Sequence, residues 1–140
     1  MPGLPAVSPL VCYEAIFPGA VIDPQHRPHW LLNVTNDAWY GRTPGPLQHL
    51  ASARTRSVEE GLPLMRAANN GISAAIDPYG RVLARLDLDA VGVLDEPLPR
   101  DLPATVYAQF GDSSYLALSL LFLASIVLLT RYEVKRSAPS

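Results

Sequence analysis

One cysteine, Cys12, and one lysine, Lys135, occur in the 140 residues. A lone thiol closes no disulfide within the chain, so cysteine usage is silent about redox compartment. A basic field is missing as well. The net charge is −2, nothing in it draws nucleic acid, and no nucleic-acid partner is expected. His26, His29 and His49 have no zinc-ligand spacing and read as solvated or core histidines, so no metal and no cofactor is expected. The opening MPGLPAVSPL has neither a cationic stretch nor a long apolar one and is not a signal peptide. No internal repeat or low-complexity tract appears. Charged residues make up only 17% against 49% hydrophobic, which excludes a disordered chain and leans toward burial or membrane contact. The length suits one domain, and 14 prolines divide it into short elements.

What is present begins with an uncharged run from Ser113 to Thr130, SSYLALSLLFLASIVLLT. At about 18 residues it reaches the lower limit for crossing a bilayer core. Apolar residues cover all its helical faces, where a soluble amphipathic helix keeps a polar stripe. Tyr115 and Tyr132 stand near its ends. Arg131, Lys135 and Arg136 follow it against Glu133, while the nearest preceding basic residue is Arg100. The pattern predicts a transmembrane helix over 113–131 and a cytoplasmic tail over 132–140, with everything before Ser113 on the far side. A buried core helix or a short interfacial anchor is the competing reading.

The remainder reads as α/β or layered β material. AVSPLVCY gives a short strand ending near Cys12, and His29–Asn36 gives a second with a continuous apolar centre, suited to a sheet buried on both faces. Pro46–Glu60 reads as a helix with Leu47, Leu50, Ala51, Arg54 and Val58 on one face and Gly61 just past its end. Leu62–Asn69 is a third strand. ISAAIDPYGRVLARL is a hairpin about Asp77-Pro78-Tyr79-Gly80. AVGVLDEPLP reads as a further strand that closes a domain over 1–98, and 99–112 reads as an extended arm.

Three polar clusters could carry chemistry. In PLVCYEAIFPG, a strand running abruptly into a turn would lift the Cys12 thiol out of the sheet. The following backbone N–H groups would then be free for an oxyanion. A buried structural cysteine is the alternative. In NVTNDAWYG, Asn36 and Asp37 end a strand and Trp39 and Tyr40 follow. In RAANNGIS, Asn69, Asn70 and Gly71 end another. Each of the last two could be an ordinary turn. Three polar strand ends are also what a pocket at one sheet edge requires.

CYEAIFP, LLNVTNDAWYG and QHLASARTRSVEEGLPLMRAANNGISAAIDPYGRV, followed by a terminal apolar helix, resemble the C-terminal part of the apolipoprotein N-acyltransferases. These are membrane enzymes of the nitrilase superfamily. The resemblance implies part of a four-layer α-β-β-α sandwich on the periplasmic side of a bacterial inner membrane. It implies a lipid bilayer, a phospholipid acyl donor and a lipoprotein N-terminus as partners. Cys12 would be the nucleophile of a thioester intermediate, the Tyr13 backbone N–H an oxyanion donor and Glu14 a supporting residue. Asn36, Asp37, Trp39, Tyr40, Asn69, Asn70 and Gly71 would line the substrate site.

One departure is large. The family's base glutamate and oxyanion lysine precede its cysteine, and the eleven residues before Cys12 hold neither. Lys135 lies beyond the apolar run. The expectation is therefore a C-terminal fragment or a misread start, inactive on its own. A membrane-anchored amidase and a non-catalytic chain that completes another's site are the other readings. The 140-residue chain should show no acyl transfer from phospholipid to a diacylglyceryl-cysteine peptide. Turnover above that of Cys12→Ser would refute this.

Overall fold

The computed structural model describes residues 3–137. The outermost ends of the predicted domain and tail, residues 1–2 and 138–140, lie outside it, as do the side chains of Glu133, Lys135 and Arg136. Five strands form one sheet in the order β1-β2-β3-β4-β5: β1 Val7–Val11, β2 Trp30–Asn36, β3 Leu64–Asn69, β4 Ser73–Ile76 and β5 Val82–Leu86. The first three run parallel and the last two return antiparallel. Helix α1, Gly45–Glu60, is the crossover between β2 and β3. This is the α/β class expected, and the chain itself supplies one helical layer and one sheet.

Strand register sorts the side chains. Leu31 pairs with Leu64 and Asn33 with Arg66, and all four are buried on the α1 side. Leu10, Ala53, Leu62 and Ile76 belong to the same core. On the opposite face Val7 aligns with Trp30, Pro9 with Leu32 and Val11 with Val34. That face is apolar too, yet Val7, Val11 and Val34 are exposed. The continuous apolar runs seen in the sequence therefore serve a sheet of which only one face is fully covered within this chain.

α1 corrects the helix expectation in phase. Pro46 lies in its first turn and Gly61, at φ 66°, ends it, its N–H bonding the Ser57 carbonyl. The buried stripe, however, is Pro46, His49, Leu50, Ala53, Arg56, Ser57 and Glu60. Of the predicted face only Leu50 belongs to it, and Leu47 and Val58 are exposed. Periodicity misled because half of this stripe is polar. Arg56, for example, donates to the Ile16 carbonyl at 3.1 Å, so burial there follows hydrogen bonding and not hydropathy.

The hairpin forms as expected. Asp77 accepts from the Tyr79 N–H at 3.0 Å, the Arg81 N–H at 2.9 Å and Arg81 Nε at 2.6 Å. Gly80, at φ 76°, also approaches Val58 so closely that an added Cβ would lie 2.7 Å from its methyl carbon. The predicted strand in AVGVLDEPLP is absent; residues 91–103 form no strand or helix. Pro97 and Pro99 remove N–H donors, and the segment instead crosses the open sheet face. There Leu94 and Leu98 border a hollow of about 400 Å³ with Trp30, Leu32 and Met65. The arm is not wholly extended. Arg27 Nη2 donates to the Glu60 and Leu102 carbonyls at 2.8 and 2.9 Å, and a short helix α2, Val106–Phe110, follows, capped by Thr105. Helix α3 then runs Ser113–Ser137 without ending at Thr130. Its stretch Ser113–Tyr132 has mean hydropathy 2.0 with none of it buried, long and apolar enough to cross a bilayer.

Burial acts to raise the Asp77 pKa, but its bonds to Arg81 and Tyr79 outweigh that and leave it below the ordinary carboxylate value. A depressed folded pKa gives stability that is present above the unfolded pKa, about 4, and lost as pH falls through the lower folded one. Asp77→Asn should therefore flatten the acid limb of melting temperature against pH, followed by circular dichroism in detergent. An unchanged acid limb would contradict this.

Candidate active site

Parallel pairing brings the polar strand ends to one edge. Val11 aligns with Val34, and Asn36 with Asn69, so Cys12, Asn36 and Asn69 all leave the carboxyl end of adjacent parallel strands. In open α/β sheets that is where ligands bind.

β1 breaks at Cys12 into the 3-10 turn Cys12–Ile16. Cys12 sits at φ 52°, a left-handed backbone that costs a non-glycine residue about 1–3 kcal/mol. Its thiol is free and half-buried, and the turn it opens keeps it from being sealed in the core. The Glu14 carboxylate accepts from the Val11 N–H at 2.6 Å, fastening the turn back onto the strand.

Beneath the turn lies a closed ring of hydrogen bonds. The Cys12 carbonyl faces His49 Nε2 at 3.2 Å and accepts from Asn33 Nδ2 at 3.4 Å. Asn33 Nδ2 also donates to the Leu10 carbonyl at 3.0 Å. His49 Nδ1 is 2.9 Å from Asp37 Oδ1, to which Thr35 Oγ1 donates at 3.1 Å. Arg66 closes the ring: Nη2 donates to Asp37 Oδ2 at 2.6 Å and Nη1 to Asn33 Oδ1. Its Nε donates to the Ile72 carbonyl at 3.2 Å. Asn33, Asp37, His49 and Arg66 are all buried. Burial lowers the Arg66 pKa, and the Asp37 carboxylate offsets only part of that. Each of its three nitrogens has a partner, as a buried guanidinium requires.

The other predicted residues divide. Tyr13 and Tyr40 close over the ring, with Tyr13 stacked on His49 at 5.7 Å between centroids and Tyr40 tilted 6.4 Å from Tyr13. Burial first, then the nearby Tyr13 hydroxyl, push the Tyr40 phenol up to about 12, so it stays a neutral donor. Trp39 points away from this cluster and is 89% exposed. Asn36 caps the 3-10 turn Asp37–Tyr40 by accepting from the Ala38 N–H at 3.1 Å. Asn69 Nδ2 donates to Asn36 Oδ1 at 3.4 Å. Asn70 adopts φ 55° and, with Asp37, Arg42 and Asp89, lines a hollow of about 180 Å³. Gly71 is required by close approach: a Cβ there would lie 2.4 Å from Asp37 Oδ2.

Among the described residues, no group of three or more histidine, cysteine, aspartate or glutamate side chains could hold a metal ion. Sequence reasoning missed His49, Asn33 and Arg66 as site components. The available signal was an asparagine and an arginine in the middle of apolar strands, where a buried charge demands a partner.

The carbon-nitrogen hydrolase family model matches residues 2–105. The chain belongs to the carbon-nitrogen hydrolase family. Within it, the chain is 52% identical over 136 residues, 97% of its length, to the apolipoprotein N-acyltransferase of Bradyrhizobium diazoefficiens. It is 48% identical over 131 residues, 94% of its length, to that of Rhodopseudomonas palustris. It spans only 25% and 24% of those relatives. A mutant of the amidase from Nesterenkonia sp. AN1, solved with the acetamide moiety of fluoroacetamide covalently added at its active-site cysteine, shares the fold at TM-score 0.50 and 23% identity. The match covers 79% of this chain and 43% of that one. The carbon-nitrogen hydrolase core here is thus the sheet and α1, with α3 following the matched residues.

Arg66→Met leaves Asp37 buried without its cation and should cost about 3–5 kcal/mol. Arg81→Met, at an arginine 71% exposed, should cost less than about 1 kcal/mol. Urea unfolding in detergent, followed by circular dichroism, compares them; equal costs would mean that the ring carries no buried charge.

Proposed function

We propose that this chain carries the nucleophile of an apolipoprotein N-acyltransferase. The Cys12 thiolate would attack a phospholipid ester carbonyl carbon. The sulfur–carbon bond forms, the carbon–oxygen bond breaks, and the lysophospholipid leaves as the alcohol after taking a proton. The free α-amino group of a diacylglyceryl-cysteine would then attack the thioester, forming an amide and returning the thiolate. A thioester suits this order because it holds the acyl group while staying open to an amine.

The observation that carries the reading is Cys12 itself: a half-buried thiol on a left-handed backbone at the carboxyl edge of the sheet. Exposed apolar side chains stand at that edge: Val11 at the end of β1, Tyr13 on the turn after it, Phe17 just beyond, and Trp39 on the Asp37–Tyr40 turn. A fatty chain needs such a surface, and a small amide does not, which favours the lipid reading over an amidase. Ser113–Tyr132 would anchor this edge at the outer face of a bacterial inner membrane with the C-terminus cytoplasmic. The Tyr13 N–H would meet the oxyanion. Glu14 is tied to Val11 and holds the turn; it does not act as the base. Residues 1–11 hold neither the glutamate nor the lysine that the resemblance assigns to proton transfer and the oxyanion; the group this reading takes from the chain is the nucleophile.

Co-expressing the chain with one that carries the glutamate and lysine, in the presence of phosphatidylethanolamine, and digesting it should yield a peptide bearing one fatty acyl mass on Cys12. The chain alone should give far less, and Cys12→Ser should give none. No acyl mass on Cys12 in the co-expressed pair would overturn the proposal.

A further inference from the structure

The buried ring ends on a backbone atom of the nucleophile, and this has a geometric effect. In a planar trans peptide the carbonyl of one residue and the N–H of the next point in opposite directions. The Cys12 carbonyl is directed inward, toward His49 Nε2 at 3.2 Å and Asn33 Nδ2 at 3.4 Å. The Tyr13 N–H therefore points away from the ring. Rotating that peptide by half a turn would set its N–H against two nitrogen donors, so the ring opposes the flip.

Taking Cys12 as the nucleophile, as proposed above, we infer that His49 and Asn33 are positioning residues. They grip the Cys12 carbonyl and so aim the Tyr13 N–H at the oxygen of an acyl group on the sulfur. A carbonyl oxygen only accepts, so this grip uses the His49 tautomer with its hydrogen on Nε2, in which Nδ1 accepts from Arg66 Nη2 at 3.2 Å. Asp37 packs 2.9 Å from the same Nδ1. Arg66 ties Asp37 to Asn33, so both grips are held by one guanidinium.

The chemistry supplies a readout that a merely structural role would not move. Acylation of Cys12 by p-nitrophenyl butyrate passes through an oxyanion: the sulfur–carbon bond forms and p-nitrophenolate leaves with the electron pair. Alkylation by iodoacetamide displaces iodide and makes no oxyanion. His49→Gln keeps a nitrogen at the Nε2 position, whereas His49→Asn keeps only the Nδ1 position. In the 140-residue chain in detergent, the acylation-to-alkylation rate ratio should fall about tenfold or more in His49→Asn and stay within about twofold in His49→Gln. Equal ratios in the parent and both variants, or equal losses in the two, would overturn the inference.

A measurement on the parent alone serves should His49→Asn unfold. Butyrylating Cys12 should move the Tyr13 amide proton resonance downfield as it meets the thioester oxygen. An unmoved resonance would overturn the assignment. Failure of the lipid reading shows separately, as the absence of a phospholipid-derived acyl mass.

Discussion

The ion pair between Arg66 and Asp37, 2.6 Å long with both side chains withdrawn from water, is the constraint on which the site depends. Taking two charges out of water costs several kcal/mol for each ion, and only tight geometry with further hydrogen bonds offsets that. The further bonds determine much of the local structure. Arg66 requires the Asn33 amide and the Ile72 carbonyl. Asp37 requires Thr35 and His49. The ends of β2 and β3, the start of α1 and the turn after β1 are drawn together by one demand for electrostatic satisfaction. Gly71 belongs to the same set, because no larger residue fits against Asp37.

Much of the fold could be read from the residues. The strands ending at Val11, Asn36 and Asn69, the hairpin at Asp77 and a helix closing at Gly61 all stand within two residues of expectation. These rest on signals local to the chain: apolar runs, proline and glycine at turns. The phase of α1 and the strand expected in AVGVLDEPLP were misread for separate physical reasons. Hydropathy assumes that burial follows apolarity, whereas α1 buries His49, Arg56 and Glu60 and leaves Leu47 outside. The proline-flanked segment crosses the sheet without joining it.

The site was legible at its rim and hidden at its floor. Cys12, Asn36 and Asn69 announce themselves as polar residues ending apolar strands. His49 read as an ordinary solvated or core histidine because its partners, Asp37 and the Cys12 carbonyl, lie in the turns that follow β2 and β1, which only the folded chain brings beside α1. Tyr40 and Trp39, neighbours in sequence, part company in space, one closing over the ring and the other left in solvent. A pair of aromatic letters could not reveal that. A hollow of about 400 Å³ opens on the apolar sheet face beside Trp30, Leu32 and Met65 and reaches the ring only at Arg66, so it does not include Cys12.

The ring joins residues 12, 33, 37, 49 and 66, and this bears on where the thiol gets its setting. Glu14 pins the turn from within, but the partners of the Cys12 carbonyl lie 21 and 37 positions further along the chain. An isolated peptide around residue 12 has neither of them. The thiol's setting therefore belongs to the assembled tertiary structure and not to the turn alone.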